Sequence, residues 1–180
     1  MIRIETERLI LREYEKTDWQ AVHLYGQQEH ILIYEVWGPN TEEQTKEFIE
    51  KSINERKEKP RRAFEICVTL KSTKNLIGGC GFRINKENNK RGNFGYIINP
   101  EYWNKGYATE ASNGLLNFMV ENYGITEIEA TCDILNLQSK RVLEKCGLEK
   151  TKEIKNDIEM KGRFRDTLHF ERLIKEPNKT

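Results

Sequence analysis

The chain has 180 residues, enough for one domain with a real core, and its 37% hydrophobic and 33% charged residues lie within the globular range. Lys plus Arg number 30 and Asp plus Glu 29, so the net charge is +1, a balance that gives no support for nucleic-acid or membrane binding. No apolar run approaches a membrane span and the charged start, Met1 to Arg8, lacks a signal-peptide core, so the cytoplasm is the expected compartment. One domain over residues 1–180 is expected; oligomeric state is left open, a homodimer included.

Arg8 to Arg12 reads as a first strand. Thr17 with Gln20 three residues later has the form of a capping box, opening a helix that carries Trp19, Val22, His23 and Tyr25. His23 on that helix reads as a surface or packing residue. Thr41 to Gln44 repeats the capping signal, and Phe48, Ile49, Ser52 and Ile53 form one side of a second helix that Pro60 must end. The basic run Arg56 to Arg62 reads as a solvated helix end.

From Phe64 the apolar period changes to two. Phe64 to Leu70, Asn75 to Ile84 and Asn93 to Asn99 read as an antiparallel meander. Gly78, Gly79 and Gly81 inside its middle strand are costly unless the backbone is closely approached. A helix starting near Gly106 carries Ala108, Ala111, Ser112, Leu115, Leu116 and Met119 on one stripe. A strand (Glu127 to Asp133), a helix (Ser139 to Cys146) with Gly147 just beyond it, and a last strand (Arg163 to Leu173) complete the chain. The fold class is mixed α/β: a mostly antiparallel twisted sheet with helices on both faces. Cys67, Cys80, Cys132 and Cys146 lie far apart without metal-ligand spacing, which predicts no metal site, and the apolar or small neighbours of Cys67, Cys80 and Cys132 read as buried thiol packing.

The informative segment runs from Asn99 to Ala111, where a strand ends at Pro100 and a helix opens at Gly106 among small residues. The first N–H groups of a helix have no internal partners, and with the helix dipole they favour a phosphate. The segment is neither a GxxxxGK[ST] loop nor a GxGxxG turn.

Trp103-Asn104-Lys105-Gly106-Tyr107-Ala108 resembles the Q/R-x-x-G-x-G/A acetyl-CoA loop of GNAT acetyltransferases. The longer run Tyr102 to Ala111 is similar to the form Y-W-G-K-G-Y-A-T-E-A of the Rim-type, ribosomal-protein N-acetyltransferase branch. Thr6 to Arg12, Leu76 to Gly81 and Asn136 to Leu148 agree with that branch in order and spacing, and Asp166 falls where it carries an Asp. The resemblance implies a GNAT domain that uses acetyl-CoA as co-substrate and an amine as acceptor. It places the pyrophosphate on the N–H groups of Asn104, Lys105, Gly106, Tyr107, Ala108 and Thr109, and pantetheine beside Tyr96, Ile97, Ile98 and Asn99. It puts Asn136 against pantetheine, Ser139 near the thiol, and Lys105 and Lys145 within reach of phosphates.

This chain departs from the family in three places. Trp103 replaces the Gln or Arg that opens the loop, Leu143 stands where many members carry a Tyr acid, and Asn93 stands where a Glu base often precedes Gly-Tyr. Ser139 is the acid that the branch suggests. A thiol of pKa near 8.5 leaves unprotonated at a cost of only about 2 kcal/mol at pH 7, so a weak acid suffices. Deprotonating a lysine-like amine costs about 4.6 kcal/mol, an α-amine about 1.1 kcal/mol. A chain without an obvious base therefore suits an α-amine, such as a protein or peptide N-terminus. Direct attack on the thioester is expected, the oxyanion held by a backbone N–H near Ile98. No Cys has an adjacent base, which disfavours an acetyl-Cys route. Glu65 and Glu101 are carboxylates that could act as base through water. A small-amine acetyltransferase and a CoA-binding sensor are the competing readings.

Overall fold

The computed structural model describes residues 1–174. Among these residues eight strands form one sheet in the order β1-β2-β3-β4-β5-β6-β8-β7. They are β1 (Arg3–Glu5), β2 (Leu9–Glu13), β3 (Ala63–Leu70), β4 (Leu76–Ile84), β5 (Arg91–Ile98), β6 (Glu127–Asp133), β7 (Glu149–Met160) and β8 (Arg163–Leu173). The helices are α1 (Trp19–Gly26), α2 (Glu42–Glu55), α3 (Tyr107–Tyr123) and α4 (Leu137–Lys145). Every pairing is antiparallel except β5 with β6, which α3 connects as a crossover.

Each helix covers the face its apolar stripe dictates. Ala111, Leu115, Leu116 and Met119 of α3 and Leu143 of α4 pack with Ile66, Phe82 and Phe94 on one side of the sheet. Leu115, Leu116 and Met119 are fully buried, each worth about 1.5–3 kcal/mol against exposure. On the other side Val22 and Tyr25 of α1 and Ile49 of α2 cluster with Tyr14, Leu32 and Cys67. The sheet is thus sandwiched, as the alternation and helical stripes predicted.

Several local readings need correction. The capping box before α1 is made by Glu15 and Asp18 around a 3-10 turn, not by Thr17 and Gln20, because Arg12 fixes the Asp18 carboxylate with two bonds of 2.7 and 2.8 Å. The box at Thr41 and Gln44 does form. Helix α2 stops at Glu55, short of Pro60. The basic run is not simply solvated: Arg61 bonds the buried Glu13 at 2.5 Å, and Arg56 lies 3.9 Å from the same carboxylate. Removing a partner from that pair would strand a buried charge.

Two strands were missed. β1 has three residues, and β7 reads EKTKEIKNDIEM with almost every position exposed. An edge strand wet on both faces shows no apolar alternation, and its charges discourage further pairing. Its pairing with β8 is irregular between Ile154 and Ile158, where Asp166 Oδ1 accepts from the Asn156 N–H at 2.8 Å.

Candidate active site

The site begins where the sheet opens. β5 pairs with β4 along its length, from Gly92 to Ile98, but with β6 only through Arg91, Gly92 and Asn93. Beyond Asn93 the two parallel strands separate. The Asn99 N–H donates to the Ile77 carbonyl at 2.8 Å, and in an antiparallel ladder the alternate groups face the other way. The N–H groups of Tyr96 and Ile98 therefore point into the opening.

The loop after β5 is built to keep its backbone exposed. Asn99 Oδ1 accepts from Glu101 N–H, and the Trp103 indole donates to the Ile98 carbonyl at 2.5 Å. Trp103 thus ties the loop to the end of β5, which accounts for its replacing Gln or Arg. Asn104 (φ 59°) and Gly106 (φ 79°) are both left-handed, which turns the chain sharply into α3. Among the described residues no acceptor meets the N–H groups of residues 104 to 109. Six donors at a helix start are a fit for a pyrophosphate. Lys105 Nζ is bonded to the Glu101 carbonyl at 3.0 Å, and Lys145 is exposed at the end of α4.

The first motif segment, Thr6 to Arg12, meets this loop in space. Glu110 accepts from Thr6 Oγ1, Arg8 N–H and Arg8 Nε at 2.6–2.7 Å, and Arg8 Nη1 donates to the Lys105 carbonyl at 2.9 Å. Partial burial works to raise the Glu110 pKa, but these bonds hold it below the usual carboxylate range. The start of the chain therefore braces the start of α3, roughly a hundred residues on.

Across the opening, Asn136 caps α4: its Oδ1 accepts from the Ser139 N–H at 3.0 Å. This bond fixes Ser139 in the first turn, where the Tyr96 hydroxyl donates to its Oγ at 3.3 Å. Burial raises the Tyr96 phenol pKa, with the Ser139 contact opposing, so Tyr96 stays protonated. Leu143, at the position of the usual Tyr acid, is 2% exposed and belongs to the core.

On the α1/α2 side lies a cleft of about 930 Å³ whose lining includes Tyr14, Glu35, Trp37, Glu65, Gly95 and Tyr96. The glycines of the central strands create it. A Cβ on Gly79 would strike the Tyr14 hydroxyl, one on Gly81 would lie 2.7 Å from Glu65 Oε2, and one on Gly95 would meet nothing within 4 Å. Burial raises the Glu35 pKa against the opposing charges of Arg165 and Lys161. Tyr14, Glu35 and Trp37 were not singled out from sequence; only the glycine run hinted that something occupies this face. His23 sits outside the site, its Nδ1 3.1 Å from Thr45 Oγ1 between α1 and α2. Glu101 is exposed on the loop.

The Acetyltransferase (GNAT) domain model matches residues 8–149, a span that contains the loop, the opening and the cleft. The chain belongs to the GNAT acetyltransferase family. It is similar to an uncharacterized N-acetyltransferase, YnaD, of Bacillus subtilis, 33% identical over 98% of this chain and all of that one. Two solved acetyltransferase structures share the fold. One is a ribosomal L7/L12 alpha-N-protein acetyltransferase, RimL, with coenzyme A (TM-score 0.85, 17% identity, 96% of this chain and 98% of that one). The other is a spermidine N-acetyltransferase of Vibrio cholerae with CoA and spermine (TM-score 0.80, 23% identity, 93% and 96%). As a GNAT member the chain is an N-acetyltransferase.

All four cysteines of this GNAT chain are unpaired and buried. Burial pushes the Cys67 thiol up to about 12 and those of Cys132 and Cys146 up to about 11, so none is a ready thiolate nucleophile. No cluster of three or more metal-ligating side chains occurs among the described residues, and no described helix is long and apolar enough to cross a membrane.

Proposed function

We propose that residues 1–180 act as a single cytoplasmic acetyltransferase domain that transfers acetyl from acetyl-CoA directly to a primary amine, with a protein or peptide α-amine as acceptor. The observation that carries this reading is the opening between β5 and β6, into which the Tyr96 and Ile98 N–H groups point and beside which the Tyr96 hydroxyl meets Ser139, with Tyr96 also lining the 930 Å³ cleft. The four unpaired thiols support a reducing compartment.

In this reading the N–H groups of residues 104 to 109 bind the pyrophosphate, and the backbone of Tyr96 to Asn99 pairs with pantetheine, with Asn136 beside it. Lys105 and Lys145 contribute charge near the phosphates. The thioester carbonyl then lies at the opening, and the Ile98 N–H receives its developing oxyanion, with the Tyr96 N–H as neighbouring donor. The neutral amine nitrogen forms the new C–N bond, the C–S bond breaks, the nitrogen releases one proton to water, and Ser139 Oγ–H supplies the proton that the departing thiolate takes and is reprotonated from water. Tyr96 donates to Ser139 Oγ, which leaves the serine's own proton free for the sulfur. Ser139→Ala is expected to lower kcat about tenfold, below the usual general-acid contribution because the thiol is a good leaving group. Steady-state kinetics at saturating acetyl-CoA reads this; complete loss of turnover would give Ser139 a larger role, and no change would leave it a structural residue.

The α-amine is favoured by its lower cost of deprotonation and by likeness to a protein acetylating an N-terminus. A small polyamine is the second reading, favoured by Glu35, Glu47 and Glu65 around the cleft. Comparing kcat/KM for a short peptide with a free N-terminus and for spermidine decides between them. The peptide should be the better substrate at pH 7; the reverse order would transfer the assignment to small amines.

A further inference from the structure

The family's usual base position offers no group to remove a proton from the attacking amine. Asn93 is an amide, exposed beside Arg83 on β4. The same face of the sheet holds a carboxylate one strand further away. Glu65 on β3 pairs with Gly81 on β4, and Gly81 pairs with Gly95 on β5. These three residues form a row across the sheet, pointing the same way. Because Gly81 has no side chain, the Glu65 carboxylate lies over its Cα; because Gly95 has none, nothing stands within 4 Å of its missing Cβ. The row is therefore a trough that leads from the carboxylate to β5 at Gly95, the neighbour of Tyr96. The glycines that are costly for a strand have this as their consequence.

We propose that Glu65 is the general base of the reaction, taking the proton of the bound ammonium through a water lying in the Gly81–Gly95 trough. This inference rests on the acetyltransferase reading above. The ammonium N–H bond breaks, its proton passes along the water to the Glu65 carboxylate, and the freed lone pair forms the C–N bond to the thioester carbon. The proton leaves Glu65 to solvent through the cleft, where its side chain is 27% exposed.

The charges around Glu65 suit that task. Burial raises its pKa to about 7; Arg83, 3.6 Å away, and Lys51 of α2 oppose the shift, and Glu55 of α2 reinforces it. Glu47 of α2, Glu35 from the loop before α2, and the Tyr14 hydroxyl also line the cleft. A base poised near the working pH combines an ionised form with a useful proton affinity. Arg83 also reaches Glu55 at 3.5 Å, so it is shared and does not lock Glu65 into a tight pair.

The test uses Glu65→Gln in the full-length protein, with acetyl-CoA and either spermidine or a free-N-terminus peptide as acceptor. With a base, the protein uses the ammonium form, so wild-type kcat/KM for spermidine should rise to about pH 7 and then level off until the amine itself titrates. Glu65→Gln should instead need the neutral amine, so its kcat/KM should climb tenfold per pH unit toward pH 10. At pH 7.5 it should be about 100-fold slower, in line with a general base and with the small neutral fraction of such an amine. The deficit should shrink as pH rises, and the peptide, with its lower amine pKa, should show a smaller one. Acetyl-CoA affinity and melting temperature should be unchanged, and Glu65→Asp should recover part of the rate. Wild-type activity with an unchanged profile in Glu65→Gln overturns the base and leaves the acetyltransferase reading standing. A wild type that acetylates neither amine overturns that reading and the base with it.

Discussion

Replacing Gly106 by Glu is expected to weaken acetyl-CoA binding by at least about 100-fold, roughly 2.7 kcal/mol, while the protein still folds. Gly106 is the N-cap of α3 with φ 79°, and its N–H belongs to the donor set of residues 104 to 109. A side chain there costs about 1–2 kcal/mol in backbone strain and meets the Arg8 guanidinium, 3.3 Å from the new Cβ. Those costs fall on the loop and not on the core. The carboxylate brings negative charge to the place proposed for phosphates, and also offers Arg8 an alternative to Glu110. Gly106→Ala separates the two effects, since it carries the strain without the charge and should lose far less affinity. Calorimetric titration with acetyl-CoA reads both variants. An unchanged affinity in folded Gly106→Glu would remove the loop from the binding site.

The second large effect is on stability. Gly78→Ala should destabilise the fold by about 3 kcal/mol, the upper end for overpacking, and lower the melting temperature by roughly 6–12 °C for a chain of this size. Its Cβ would collide with the Ile97 carbonyl oxygen and approach Ile98 Cα to 3.0 Å, and backbone cannot rotate out of the way as a side chain can. Gly95→Ala, one strand over, meets nothing within 4 Å and should stay within about 0.5 kcal/mol of the parent. Thermal melts of the two variants side by side check the contrast. Equal destabilisation would mean that strand propensity, and not the close approach of β4 and β5, sets the need for glycine.

The sequence was most legible where burial imposes a period. The alternation from Phe64 to Leu70 and the stripe from Ala108 to Met119 became β3 and α3 because one face of each packs into the core. β7 was silent for the opposite reason, since an edge strand with both faces in water needs no apolar pattern. The helix start at Gly106 could be read because a helix opening among small residues has a local signature. The cleft could not, because Tyr14, Glu35, Trp37 and Glu65 come from separate segments that only the sheet brings together. Capping showed the same limit: Thr41 and Gln44 close their box within one turn, whereas Asp18 is claimed by Arg12 from β2, a contact no local window contains. Trp103 looked like a loss of the motif's first polar residue, yet its indole makes a bond to the end of β5 that ties down the loop.

The central claim is direct acetyl transfer from acetyl-CoA to an amine. Its most direct test incubates the protein with isotope-labelled acetyl-CoA and the free-N-terminus peptide, then counts released CoA and labelled product by mass spectrometry. The account predicts one labelled N-acetyl group on the amine for each CoA released, no label retained on the protein, and a rate that depends on the amine from the first turnover. CoA release at the same rate without amine, or label held on one of the cysteines before the amine is added, would contradict it.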